Sequence, residues 1–99
     1  MELNFRLIGF NLNSSNTLRV MKSLESIDDF KHQLHTVLIT LKKDEQVAHI
    51  FQCRIDAHTT FDQSFSLASE GKLPDEAISN AIGLLKDKLH HQYAYSIAS

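Results

Sequence analysis

Leu3, Phe5 and Leu7 alternate with Glu2, Asn4 and Arg6, the two-residue period of a strand with one buried face, which predicts a first strand over about residues 2–9. Between Gly9 and Asn16, the side chains of Asn11, Asn13, Ser14, Ser15 and Asn16 compete for backbone hydrogen bonds and favour a turn leading into a helix N-cap. From Thr17 the period lengthens. Val20, Met21, Leu24, Ile27, Phe30 and Leu34 recur every three or four residues, as on a helix with one apolar stripe. Alternation returns with Val37, Ile39 and Leu41 against Thr36, Leu38, Thr40 and Lys42, a β-branched second strand turning at Lys43–Gln46. A third strand places Val47, His49, Phe51, Cys53, Ile55 and Ala57 on one face and Gln52, Arg54, Asp56 and His58 on the other. Phe61 and Asp62 mark a turn, and Phe65 and Leu67 a fourth strand ending near Ala68. Beyond Gly71, Pro74 suits the first turn of a helix, where its missing N–H costs little, and Asp75 and Glu76 suit the positive end of the helix dipole. Ile78, Ala81, Ile82, Leu85 and Leu89 carry this second helix to about His91.

The order β-α-β-β-β-α holds one right-handed βαβ crossover followed by an antiparallel meander. It predicts an α+β fold: a two-layer sandwich in which both helices cover one face of a four-stranded mixed sheet. The uncovered face would carry Asn4, Arg6, Thr36, Thr40, Lys42, Gln52, Arg54, Asp56, Ser64 and Ser66. With 99 residues there is one core to build, over residues 1–92, with 93–99 expected as a flexible tail.

Composition narrows the function. Ten Lys and Arg against twelve Asp and Glu leave a net charge of −2, so no diffuse basic field exists and any polyanion must meet a local patch. Six His make the surface charge depend on pH. A single cysteine permits no intrachain disulfide and no thiolate-rich zinc cage. The start of the chain lacks a basic leader with an apolar run, and no long uncharged apolar stretch follows, so a soluble, unprocessed cytoplasmic protein without membrane contact is expected.

Catalytic chemistry finds little to work with. Cys53 sits between Phe51 and Ile55 on an inward strand face, where a thiol behaves as a small buried hydrophobe. His32 and His35, or the adjacent His90 and His91, could be imagined around a metal, but no partner carboxylate or cysteine stands at a known ligand spacing. Glycines at 9, 71 and 83 form no phosphate cradle. No enzyme and no cofactor are expected. What remains is surface: Arg19 and Lys22 share a face of the first helix at i, i+3, Lys86 and His90 line the second at i, i+4, and Lys88 lies to the side. Packed side by side, the helices could gather these cations into one strip. With Glu25, Asp29 and Asp87 interleaved, they could equally be dispersed solubilising charges.

With that topology in hand, Ser66–Leu89, SLASEGKLPDEAISNAIGLLKDKL, resembles without gaps the end of the hibernation-promoting factor and ribosome-associated inhibitor family, the sigma-54 modulation protein-like short forms. The resemblance is carried by Glu70-Gly71 at the turn, Ala77-Ile78 opening the helix, and Lys88-Leu89 or Leu84-Leu85 near its end. Met1–Phe5 looks like the family's opening strand, Thr17-Leu18-Arg19 like its first helix entry, and Val37–Lys42 like its second strand. The resemblance implies a cytoplasmic factor that binds the rRNA of the small ribosomal subunit where messenger and transfer RNA would sit. Such a factor blocks initiation and favours hibernating ribosomes under stress, without catalysis.

Carried over residue by residue, the resemblance implies an RNA-binding set of Arg19, Lys22, Lys86 and Lys88, joined by protonated His90 and His91. Two positions depart from the family pattern: Leu84 and Asp87 stand where it has Lys and Arg, and an Asp facing phosphate removes attraction and adds repulsion. The alternative is a protein-interaction or weakly homodimerising module of the same fold that has lost RNA binding, with Leu84 as an exposed apolar contact. The long C-terminal extension that dimerises ribosomes in long family members is not expected here.

Overall fold

The chain forms strand β1 (Glu2–Ile8), helix α1 (Ser14–Glu25), a short 3-10 turn (Ser26–Phe30), strands β2 (Leu34–Lys43), β3 (Phe51–Thr59) and β4 (Ser64–Gly71), and helix α2 (Pro74–Ala98). This computed structural model describes residues 1–98, with side chains as far as His91; α2 runs on to Ala98, past the end near His91 that the apolar stripe predicts, and the side chains of the expected tail 93–99 lie outside the described residues. The sheet runs β1-β2-β3-β4, with β1 parallel to β2 and the other pairs antiparallel. This is the α+β sandwich that the element order predicts.

One side of the sheet is the core. Val37, Ile39 and Leu41 on β2 and Cys53, Ile55 and Ala57 on β3 pack against Ala77, Ile78, Ala81, Ile82, Leu85 and Leu89 of α2, joined by Val20 and Ile27. Gly71 makes the β4–α2 junction possible, because a Cβ there would stand 2.5 Å from the backbone nitrogen of Ala77. The register puts the outward residues in four rows across the strands. These are Ile8–Lys42–Gln52–Glu70, Arg6–Thr40–Arg54–Ala68, Asn4–Leu38–Asp56–Ser66 and Glu2–Thr36–His58–Ser64.

Three local expectations are corrected. The helical stripe does not continue from Thr17 to Leu34. Asn13 caps α1 by accepting the Asn16 N–H at 2.8 Å, so the helix begins at Ser14, and it closes at Glu25 into the 3-10 turn. Leu34 is the first buried residue of β2, because Gln33 already accepts the Thr60 N–H at 3.0 Å from the far hairpin and is drawn into the sheet. Met21 is 56% exposed rather than inward-facing. Val20, Leu24 and Ile27 take the inward face of the first helical segment, which leaves Met21 on the outer flank.

The third strand, finally, starts at Phe51 and not at Val47. Lys43 pairs with Phe51, which leaves residues 44–50 to make the connection. The Asp44 carboxylate curls them by accepting the Gln46 and Val47 N–H groups at 2.8 and 2.9 Å, and His49 takes a left-handed φ of 64°. Val47 and His49 are therefore on the surface.

Candidate functional site

Chain direction fixes how the helix-borne cations lie. Each helix runs antiparallel to the strand before it, and the intervening strands reverse an even number of times, so α1 and α2 run parallel, in contact at Ser23 and Ser79. Arg19 stands one turn before that contact. Lys86 stands about two turns beyond it, so the two are separated along the helix axes by about 16 Å at ~1.5 Å per residue.

Successive α-helical residues are rotated by about 100°, so Lys86 and Lys88 point about 200° apart. Lys86 turns toward α1 and holds its ammonium 5.9 Å from the Phe30 ring, half-buried in the seam. Lys88 turns to the other flank, 5.7 Å from the Phe65 ring on β4. These cation–π contacts orient the ammonium groups and leave their charge intact. His90, four residues after Lys86, belongs to the α1 flank; His91, seven after Leu84, stands on the outward crest between the flanks. Both imidazoles are exposed, 6.5 Å apart in an edge-on arrangement.

Between the flanks runs the crest of α2, with Glu76, Asn80, Leu84 and Asp87 exposed and Leu84 at 42%. Arg19 and Lys22 are exposed on α1, beside Leu18 and Met21. Thus Arg19, Lys86 and His90 lie along the α1–α2 seam, while Lys88 faces away from it, with Asp87 and His91 on the crest between. Among the described residues Arg54 pairs with Asp56 at 3.1 Å and the His58 ring approaches the Asp62 carboxylate at 3.4 Å; neither contact draws on a helix-borne cation.

A second group of cations lies on the open face of the sheet. Arg6 and Arg54 flank Thr40 on the neighbouring strands, and Lys42 is two residues further along the same face. Arg6 reaches the Thr40 hydroxyl at 3.4 Å, and Arg54 reaches the Asp56 carboxylate and, at 3.5 Å, the Ser66 hydroxyl. Thr40, Lys42, Gln52, Arg54 and Glu70 border a shallow hollow of ≈ 370 Å³. Alternation along each strand places Arg6, Thr40, Lys42 and Arg54 on the solvated face but does not show that they meet. The signal that would have shown it is the pairing register, which no single strand contains.

The remaining candidate groups are locked into structure. Cys53 is fully buried and desolvation pushes its thiol up to about 12, so it offers no thiolate for nucleophilic work near neutral pH. His58 bonds the Ser64 hydroxyl through Nδ1 at 2.7 Å and faces Asp62 through Nε2, but it does so on an open hairpin, where it ties the β3–β4 turn together. Among the described residues no group of three or more His, Cys, Asp or Glu is placed to hold a metal ion. No helix among them is long and apolar enough to cross a membrane.

No protein-family model and no curated protein sequence matches the chain. Solved structures do. A ribosomal subunit interface protein from Coxiella burnetii superposes with a TM-score of 0.76 over 95% of this chain and 99% of its own, at 11% identity. The N-terminal domain of Protein Y from Thermus thermophilus superposes with a TM-score of 0.67 over 90% of this chain and 96% of its own, at 13% identity. At these identities the likeness is one of fold, the β-α-β-β-β-α sandwich over nearly the whole of each chain.

Proposed function

We propose that this chain associates with the ribosome as a translation inhibitor or hibernation factor, binding small-subunit rRNA through Arg19, Lys22, Lys86 and Lys88 and, when protonated, His90 and His91. The observation that carries the proposal is the nearly end-to-end superposition on a ribosomal subunit interface protein, in which neither chain has a large unmatched part. The action is steric and electrostatic. Arg19 and Lys86 along the α1–α2 seam, Lys22 on α1 and Lys88 on the β4 flank of α2 neutralise phosphates on two sides of the helix layer and release counterions, and the bound domain occupies space that messenger and transfer RNA would need. No bond is made or broken, no cofactor is used, and the site of action is the cytoplasm.

Cosedimentation with small subunits across a salt series tests this reading. Four phosphate contacts would lower affinity about a hundredfold between ~50 and ~200 mM salt. Lys86→Glu is expected to weaken binding and flatten the salt slope, because one contact is lost. Free protein at every salt concentration would refute the proposal.

Asp87 and the 42%-exposed Leu84 favour a second reading, in which the crest of α2 binds a protein and the fold has given up RNA. Under that reading Leu84→Lys abolishes the interaction and Lys86→Glu leaves it unchanged.

A further inference from the structure

The sheet has two edges, β1 and β4, and β1 is the one whose inward row is left partly exposed. β1 bonds to β2 on one side only, and among the described residues no backbone group of Glu2–Ile8 pairs with anything else. Natural edge strands are protected by charged side chains, a proline, a bulge, an inward charge or a covering element, and of these β1 carries only the exposed charges Glu2 and Arg6, one of each sign. β1 has no proline, bulge or inward charge, and its inward row Met1, Leu3, Phe5, Leu7 is incompletely covered. Met1 is 45% and Leu3 37% exposed and Phe5 and Leu7 are half-buried, whereas their neighbours Val37, Ile39 and Leu41 on β2 are at most 1% exposed. Met21 and Leu24 of α1 line a hollow with Leu3, extending this apolar surface onto the helix layer. The opposite edge is different: β4 lies beneath α2, with the Lys88 ammonium over its Phe65 ring.

The sequence of this edge is complementary to itself read backwards. An antiparallel pairing of two β1 strands about Asn4 sets Glu2 opposite Arg6 of a second copy, Arg6 opposite its Glu2, and Asn4 opposite Asn4. On the other face it sets Leu3 opposite Phe5 and Met1 opposite Leu7. Opposite charges meet on the open face and apolar side chains meet on the helix face, and the two-fold axis through the Asn4 pair makes each of the other contacts twice. Within one chain Glu2 and Arg6 are free to do this. Arg6 makes a long 3.4 Å contact to Thr40, and Glu2 accepts from the Asn4 amide at 3.5 Å.

We propose that the β1 edge is a self-association surface, on which a second copy of this chain adds its own β1 antiparallel about Asn4 to form a continuous eight-stranded sheet. Main-chain hydrogen bonds supply the attraction, and the Glu2–Arg6 pairs set the register. The contact is one strand wide and about 23 Å long, smaller than the roughly 800 Å² per partner of a stable complex, so the dimer is weak and concentration-dependent. This surface is independent of the ribosomal reading, since it uses the sheet edge and none of the helix-borne cations.

Sedimentation equilibrium of the full chain over roughly 10 μM to 1 mM tests it, because weak contacts dissociate in that range. The wild type is expected to shift from monomer to dimer. Arg6→Glu alone and Glu2→Arg alone each bring like charges together twice, and each is expected to weaken association on the order of tenfold or more. An equimolar mixture of the two variants restores both pairs, with Glu opposite Arg at each position, and is expected to dimerise as well as the wild type. That rescue also shows that both variants are folded. A wild type monomeric at 1 mM, variants that associate normally, or a mixture that stays as weak as its components would each overturn the proposal. An association abolished by Leu84→Lys and untouched by the charge reversals would assign it to α2 instead.

Discussion

Gly71 and Gly83 should respond in opposite directions to the same substitution. Replacing an ordinary glycine by alanine stabilises a fold by about 0.4–1 kcal/mol, because the unfolded chain loses freedom. Gly83 is such a position, exposed inside α2 with nothing within 4 Å of where an added methyl would stand, and the helix-propensity gain there is about 0.8–1 kcal/mol. At Gly71 the added Cβ would meet Ala77 N at 2.5 Å, Glu76 C at 2.9 Å and Ala77 Cα at 3.0 Å. These are backbone atoms, which no rotamer change can clear, so the first turn of α2 must lift by about an ångström. Ala77, Ile78 and Ala81 are all 0% exposed, so the lift opens packed surface. Overpacking of this kind costs about 1–3 kcal/mol, which exceeds the backbone gain and leaves a net loss of about 1–2 kcal/mol. For a domain of this size 1 kcal/mol moves Tm by about 4–8 °C. Thermal unfolding followed by circular dichroism should therefore show Gly71→Ala melting about 5–15 °C below the wild type and Gly83→Ala about 4–8 °C above it. A Gly71→Ala variant as stable as the wild type would refute the close β4–α2 junction and, with it, the seating of the helix that carries Lys86 and Lys88.

Two further outcomes follow from the titrating groups. Hydrogen bonds from the Val47 and Gln46 N–H groups hold the Asp44 carboxyl below its ordinary value, so its side-chain NMR signal should titrate below about 3.9, the unperturbed Asp value. The sign follows from the depressed folded pKa: Asp44 supports the 44–50 turn fully above the unfolded value and loses that support as pH falls through the folded one. A midpoint at or above the ordinary value would remove the carboxylate cap. For Cys53, a pKa raised from 9.0 to about 12 lowers the thiolate population near neutral pH about a thousandfold, in addition to burial. Alkylation of the native chain should then proceed only through opened states of the fold and accelerate in denaturant. Rapid labelling of folded protein would show the core to be open at β3.

The sequence resolves those features that depend on which side of an element is apolar. The alternation in Leu3–Leu7, Val37–Leu41 and Phe51–Ala57 marks the inward faces of β1, β2 and β3, and Ile78, Ala81, Ile82, Leu85 and Leu89 mark the buried stripe of α2. Pro74 places the start of α2, and the element order leads to the α+β sandwich. Each of these is local, because the solvent boundary imposes the period of the element on the sequence itself.

What lies across from each face came from packing between segments. Leu34 satisfies a helical and a strand period alike, and pairing with the far hairpin assigned it to β2. The register of Lys43 with Phe51 turned Val47 and His49 out to solvent. Lys86 and Lys88, two letters apart, fell to opposite flanks with Phe30 and Phe65 as neighbours, while Arg6, Lys42 and Arg54, distant along the chain, met around Thr40. A period along one chain segment reports its own burial. The partners across a sheet or a helix seam depend on register and on how segments dock, which is information held jointly by two stretches of sequence and by neither alone.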